Sequence, residues 1–157
     1  LQEFGFTVKT IGDVIEHRDR GIRLLELAAN VKDPAERRRL LTFVVVGGNY
    51  TGVEMAGEYH AFLCEAMERY TELSPKELRM VLVERSEHLL GMVKEDLAIW
   101  CEKTLRDRGV EVRTNEAVVA LSDVDATLRS GEVVPAETVI WAAGIAPNPV
   151  LPKLGLP

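Results

Sequence analysis

Phe43-Val44-Val45-Val46-Gly47-Gly48-Asn49-Tyr50-Thr51-Gly52-Val53-Glu54-Met55-Ala56-Gly57-Glu58 decides the fold. Four apolar, mostly β-branched residues run into a glycine-rich turn that opens onto a segment of helical character, the strand-turn-helix context that a nucleotide-binding fingerprint requires. Gly47 ends the strand and can take a turn conformation closed to residues with a Cβ, while Gly52, five positions on, lets the new helix lie close against the strand. That helix starts near Thr51 and directs its free N–H groups and the positive end of its dipole at the turn, so an anionic pyrophosphate is the natural occupant. The third position of the G-x-G-x-x-G pattern is Asn49 rather than glycine. Asparagine tolerates positive φ, so the turn survives this change more readily than the close approach of a phosphate does. The competing reading is a glycine-rich turn that serves only helix-sheet packing.

At 157 residues, with 46% hydrophobic and 28% charged residues, the chain has the composition of one globular domain with a sizeable core. A net charge of -6 argues against nucleic acid as a partner, though it says nothing about a nucleotide cofactor. Cys64 and Cys101 stand far apart on expected helices without C-x-x-C spacing, so they read as buried structural thiols of a reducing compartment, and no metal site is expected. The apolar runs, among them Phe43–Val46 with Leu40 and Leu41 before Thr42, are far too short to span a bilayer, and no N-terminal signal is readable. The chain opens on Leu1 rather than methionine and is expected to be a piece of a longer protein.

N-terminal to the fingerprint, Thr10-Ile11-Gly12-Asp13 reads as a capping box that starts a helix over about 11–31, with Ile11, Val14, Ile15, Ile22, Leu25 and Ala29 as its apolar face. Asp33, Pro34 and Glu36 start a second, short helix that ends near Leu40. Arg37-Arg38-Arg39 on it could bind phosphate, but a solvated face is the plainer reading. Beyond the fingerprint, a helix over about 51–70 carries Val53, Ala56, Leu63, Met67 and Tyr70 on one face. Ser74-Pro75 breaks it, and a strand follows over Met80–Glu84. Glu84 stands 37 positions after Gly47, against about 20 in the usual pattern; the long helix accounts for the extra chain. An acid closing the second strand accepts hydrogen bonds from the adenosine ribose and repels a 2′-phosphate, which favours NADH, although Arg85 beside it blurs the choice against NADPH.

A third helix is expected over about 93–108, with Leu97, Trp100, Cys101, Thr104 and Leu105 inward and acids first and arginines last to suit the dipole. Val110–Arg113 reads as a strand. Ala117–Leu121, Thr127–Leu128 and Val133–Val134 read as an antiparallel meander in place of the usual crossover helix. A buried strand, Thr138–Trp141, ends at Ala142-Ala143-Gly144, and the proline-rich stretch 146–157 reads as a linker. The expected fold is therefore an α/β Rossmann-like dinucleotide-binding domain over 41–145, with a parallel sheet, a three-stranded β-meander crossover and a helical lead-in over 1–40.

This order of elements resembles the NADH-binding domain of two-dinucleotide-binding flavoproteins. Leu41–Gly48, Thr51–Glu58 and Thr138–Gly144 are most similar to type II NADH dehydrogenases, FAD enzymes that pass a hydride from NADH to flavin and then reduce a quinone at the membrane surface. The resemblance covers nearly the whole chain; it is specific at those stretches and loose between them. It implies that Gly47, Gly48, Asn49, Tyr50, Thr51 and Gly52 form the pyrophosphate turn, that Glu84 holds the ribose, and that Ala143 and Gly144 lie where the chain passes the nicotinamide. It also implies that Glu54 stands beside the nicotinamide and flavin rings, in the first turn of the helix, as a carboxylate that orients the carboxamide or relays protons; a plain helix-dipole carboxylate is the alternative. The implied partners are NADH, an FAD domain of the same chain, a quinone in the full-length protein and a second copy in a homodimer. The implied location is the cytoplasm or the cytoplasmic face of the membrane. Two other classes stay open: a disulfide, ferredoxin or rubredoxin reductase with the same NADH domain, and a non-catalytic nucleotide-binding module. A methyltransferase shares the glycine turn and strand-end acid but not the meander.

Overall fold

The computed structural model describes residues 4–144, and the stretch 146–157 read as a linker lies outside them. In chain order the elements are β1 (Phe6–Thr7), α1 (Ile11–Asn30), α2 (Pro34–Leu40), β2 (Thr42–Val46), α3 (Tyr50–Met67), β3 (Arg79–Val83), α4 (Glu95–Asp107), β4 (Val110–Arg113), β5 (Val118–Leu121), β6 (Asp125–Leu128), β7 (Val133–Pro135) and β8 (Thr138–Trp141). A parallel sheet runs in the order β1-β8-β2-β3-β4, and β5-β6-β7 form a separate antiparallel sheet. This is the α/β architecture with a meander crossover that the sequence predicts.

Every residue of β2 is buried, because both faces of a parallel sheet are covered and alternate side chains enter different cores. Phe43 and Val45 pack with Met80, Leu82 and the helices, while Val44 and Val46 pack with Val81, Val83 and the meander residues Val118, Ala126, Leu128 and Val134. A continuous run of apolar β-branched residues is what such a position requires, which is why the fingerprint strand is so plain in the sequence.

The helix starts follow their caps. Thr10 Oγ1 accepts from Asp13 N at 3.2 Å and an Asp13 carboxylate oxygen accepts from Thr10 N at 3.3 Å, and Asp33 Oδ1 accepts from Ala35 N at 3.0 Å. The faces differ from the expected ones. On α1 the buried residues are His17, Gly21, Leu24, Leu25 and Ala28, whereas Ile11 is 81% exposed and Val14 and Ile15 also face out. The rotation follows a polar contact: Tyr59 of α3 donates its hydroxyl to the His17 carbonyl at 2.5 Å. A Cβ at Gly21 would lie 2.7 Å from that hydroxyl, so α1 meets α3 through its glycine rather than its isoleucines. His17 in turn bonds the Thr7 carbonyl at 2.8 Å, holding β1 against the edge of β8. The two-residue β1 is absent from the sequence reading, and through it the lead-in stretch joins the sheet.

On α4 the inward row is Ala98, Cys101 and Leu105; Leu97 and Trp100 face solvent, and the Thr104 hydroxyl donates to the Trp100 carbonyl of its own helix. Positions 98, 101 and 105 follow helical spacing and small Ala98 allows close packing on the sheet, so the larger tryptophan lies off the contact row. α3 stops at Met67 rather than Tyr70. Leu24→Ala should cost about 2–5 kcal/mol of stability, while Ile11→Ala should stay within roughly 0.5 kcal/mol; urea denaturation of both variants checks which face of α1 is the core.

Candidate nucleotide-binding site

The chain leaves β2 through a turn whose geometry excludes side chains. Gly47 has φ +107°, and a Cβ on it would lie 2.8 Å from the backbone N of Ala143. A Cβ on Gly52 would lie 1.7 Å from the Gly47 carbonyl oxygen. The close approach assigned to Gly52 is therefore to the turn's own carbonyl, just beyond the strand. Gly47 N–H donates to the Val83 carbonyl at 2.8 Å and Ala142 N–H to the Val46 carbonyl at 2.9 Å, so the turn is held between the ends of β3 and β8.

Asn49 does not use positive φ. Its φ is -77° and it is the N-cap of α3, an extended conformation open to any residue. What asparagine supplies is its amide: Oδ1 accepts from Gly52 N–H at 3.0 Å and Nδ2 donates to the Ala142 carbonyl at 2.8 Å. One first-turn donor is thereby satisfied. The N–H groups of Tyr50 and Thr51 have no partner among the described residues, and they open at the positive end of an 18-residue helix.

Glu84, directly after β3, turns its carboxylate back onto this turn. One oxygen accepts from Gly48 N–H at 2.6 Å and the other from Ser86 N–H at 2.8 Å. Burial raises its pKa, but these backbone bonds outweigh burial and leave it below the ordinary 4.5. Leu90 N–H donates to the Gly48 carbonyl at 2.7 Å, with Leu90 itself at φ 52°, so the segment after Glu84 straps the turn from outside.

A cleft of about 580 Å³ opens here. Gly47, Gly48, Asn49, Glu84, Ala143 and Gly144 all line it, and Tyr50, Thr51 and Gly52 form the helix start beside it. Glu54 does not line it: it is exposed, five residues into α3 and so past the first turn where the sequence reading put it. Ser86, His88, Glu116 and Trp141 line the cleft without having been singled out. They arrive on the segments after β3 and β4 and at the end of β8, and only Ser86, two residues past the strand-end acid, had a positional signal. His88 lies near Glu102, Nδ1 3.5 Å from Oε1, without a hydrogen bond to Nδ1 among the described residues.

The family model for pyridine nucleotide-disulphide oxidoreductases matches residues 5–157. The chain belongs to that family. Among curated members, it is 34% identical over 152 residues to the type II NADH:quinone oxidoreductase NdhA of Mycobacterium tuberculosis, covering 91% of this chain and 32% of that protein. It is 32% identical over 121 residues to the external alternative NAD(P)H-ubiquinone oxidoreductase B1 of Arabidopsis thaliana, covering 74% of this chain and 21% of that one. The fold superposes on NDH2 of Plasmodium falciparum, solved in complex with NADH, with a TM-score of 0.88 and 22% identity, over 97% of this chain and 32% of that one. The chain thus spans about a fifth to a third of the length of such family members.

Gly52→Ala should lower both stability and nucleotide affinity, because the backbone carbonyl of Gly47 cannot yield as a flexible side chain would, and the clash exceeds the ~1 kcal/mol that alanine ordinarily adds to a helix; thermal melting and NADH titration of the variant check this. For Glu84 the folded-state pKa lies below the ordinary 4.5, so its contribution is complete above about that pH and is lost as pH falls through the lower folded value. Glu84→Gln should accordingly be less stable than the unmodified chain at neutral pH, the two converging in acid; denaturant midpoints across that range would show it.

Proposed function

We propose that this chain is the NADH-binding part of an FAD-dependent NADH dehydrogenase that passes a hydride from NADH to flavin and on to a quinone. The observation that carries the reading is the pair of unpartnered Tyr50 and Thr51 N–H groups at the start of α3, beside a glycine turn braced by Glu84. The sequence relatives favour the quinone acceptor: the mycobacterial protein is an NADH:quinone oxidoreductase by name and the plant protein a ubiquinone oxidoreductase.

In this reading the turn from Gly47 to Gly52 seats the pyrophosphate, with Tyr50 and Thr51 N–H as donors and no side-chain cation required. Glu84 keeps acceptor capacity after its two backbone bonds, since an ionised carboxylate offers about four lone-pair sites, and that remaining capacity takes the ribose hydroxyls. A 2′-phosphate would meet the same charge and be repelled. Ala143 and Gly144 pass the nicotinamide. NADH supplies the hydride when bound; the chain's part is to fix the dinucleotide so that the nicotinamide faces flavin held elsewhere in the protein. Glu54, exposed on α3, orients the carboxamide or relays a proton once the flavin part is docked. Residues 41–145 form the nucleotide-binding domain, 146–157 lead to the FAD domain, and the full-length protein is a homodimer. No helix among the described residues is long and apolar enough to cross a membrane, and the proposed location is cytoplasmic or peripheral on the cytoplasmic face.

Calorimetric titration with NADH and NADPH tests the reading. NADH should bind in preference to NADPH. Asn49→Asp preserves an N-cap but sets a carboxylate at the pyrophosphate seat, and should weaken NADH by roughly tenfold or more, since a unit charge about 4 Å from a phosphate is worth ~1–4 kcal/mol near a protein surface. Glu84→Ala should weaken NADH more than NADPH. Unchanged affinity in a folded Asn49→Asp variant would remove the pyrophosphate assignment, and equal losses for the two nucleotides in Glu84→Ala would remove the ribose role.

A further inference from the structure

A second cleft, of about 660 Å³, lies at the opposite edge of the sheet, at Leu41 and Arg79 where β2 and β3 begin. The five residues of β2 separate it from the glycine turn by about 16 Å at the usual strand rise. Its lining carries Lys32, Arg37, Arg38, Lys76 and Arg79 against a single carboxylate, Glu77. That balance is opposite to the rest of a chain with 25 acids, 19 Lys and Arg and a net charge of -6.

Helix-dipole compensation accounts for part of it, since Arg37 and Arg38 sit in the last turn of α2. It does not account for Lys32, Lys76 or Arg79, which reach the same cleft from the loop before α2, from the 3-10 turn Pro75–Glu77 and from the start of β3. The cations also fall into two kinds. Arg37 is held by the carbonyls of Val31 at 3.0 Å and Glu72 at 3.3 Å and lies 3.6 Å from Glu77; Arg79 donates to Glu111 at 2.9 Å. Lys32, Arg38 and Lys76 have no carboxylate within ion-pair distance among the described residues. Two oriented guanidinium groups therefore frame a concave surface on which three further positive charges are uncompensated. Crowding like charges this way costs electrostatic free energy unless an anion offsets it.

We propose that this cleft is an anion site for a group bearing two or more phosphates, recognised by the Arg38 guanidinium and the point charges of Lys32 and Lys76, with Arg37 and Arg79, already bonded to carbonyls and carboxylates, framing it. A cleft of this volume exceeds what one inorganic phosphate would fill and suits a soluble polyphosphate ester or a phospholipid headgroup at a membrane surface. The site is separate from the nucleotide cleft and does not depend on the reading given above.

Isothermal titration of the 157-residue chain with inorganic tripolyphosphate at low salt tests it, alongside sedimentation with vesicles of cardiolipin, whose headgroup carries two phosphates, and phosphatidylcholine in equal parts. Tripolyphosphate should bind, more weakly as salt is added. The same binding should persist in Asn49→Asp, which keeps the α3 cap and sets a carboxylate at the nucleotide turn, and fall about tenfold or more in Arg38→Glu/Lys76→Glu, two exposed positions whose reversal changes the charge facing the ligand by four units and leaves the core untouched. Should the double reversal unfold the chain, Arg38→Gln and Lys76→Gln taken singly should each weaken binding. Vesicle binding that follows the same variants, with no tripolyphosphate binding, would assign the phosphates to a lipid surface and support the site. Binding unchanged in the cleft variants, binding lost in Asn49→Asp, or no association with either probe would overturn it.

Discussion

The constraint on which the rest of the structure depends is the contact between Gly52 and the Gly47 carbonyl, where a Cβ would stand at 1.7 Å. Because α3 begins against the turn, its axis is fixed relative to β2, and the row Ala56, Tyr59, Leu63 and Met67 is committed to the helical face of the sheet. Tyr59 then sets α1 through the His17 carbonyl, and His17 sets β1 through Thr7. A chain of contacts thus runs from one glycine to the edge strand. Any side chain at position 52 would disturb packing that lies well away from the nucleotide cleft, so binding and stability are coupled at this residue by geometry rather than by a shared charge.

Around the turn, polar groups do two jobs each. Glu84 holds the backbone of Gly48 and of Ser86 at once, joining the loop after β3 to the fingerprint. Asn49 caps α3 and ties it to the end of β8. A glycine at position 49 would leave all the first-turn donors open to an anion but would lose both bonds. The asparagine holds the turn with its own side chain and leaves Tyr50 and Thr51 N–H as donors, an arrangement that trades one potential anion contact for order in the turn.

What the sequence made legible follows the same physics. Strand β2 and the helix after it were readable because a doubly covered strand must be continuously apolar and the turn must be glycine at 47 and 52. The meander was readable because Asp123-Val124-Asp125 and Ser130-Gly131 punctuate short alternating strands. On α1 the expected Leu25, Ile22 and Ala29 do pack inward and on α4 Cys101 and Leu105 do; the first turns of α1 depart, because hydrophobicity alone cannot choose between Ile11, Val14 and Ile15 and the row containing His17 and Gly21, a choice made by a hydroxyl on another helix. β1 has two residues and no periodicity of its own, and exists through its pairing with β8. Asn49 was credited with a backbone conformation when its side chain was the operative part. Glu54 was placed in the first turn because the helix was expected to start at Thr51; the cap at Asn49 starts it at Tyr50.

The two ends of the sheet gather positive potential by different means, and the polarity of a parallel sheet explains why. At the carboxyl ends of the strands the helix starts converge, so backbone N–H groups face the cleft and a carboxylate, Glu84, can sit beside the anion seat as a brace. At the amino ends the helix ends and strand starts converge, presenting carbonyl-rich termini that draw in arginine and lysine. Only Arg37 and Arg38 of that cleft lie in a last helical turn; Lys32, Lys76 and Arg79 join them from the adjoining loop, 3-10 turn and strand start, against the one lining carboxylate Glu77. Backbone donors at the first end cannot themselves be substituted, and the side chains beside them, Asn49 and Glu84, also hold the turn together. The charges at the second end lie on exposed side chains, so that surface can be retuned by substitution at little cost to the fold, whereas a change at the turn alters its bracing as well as its charge.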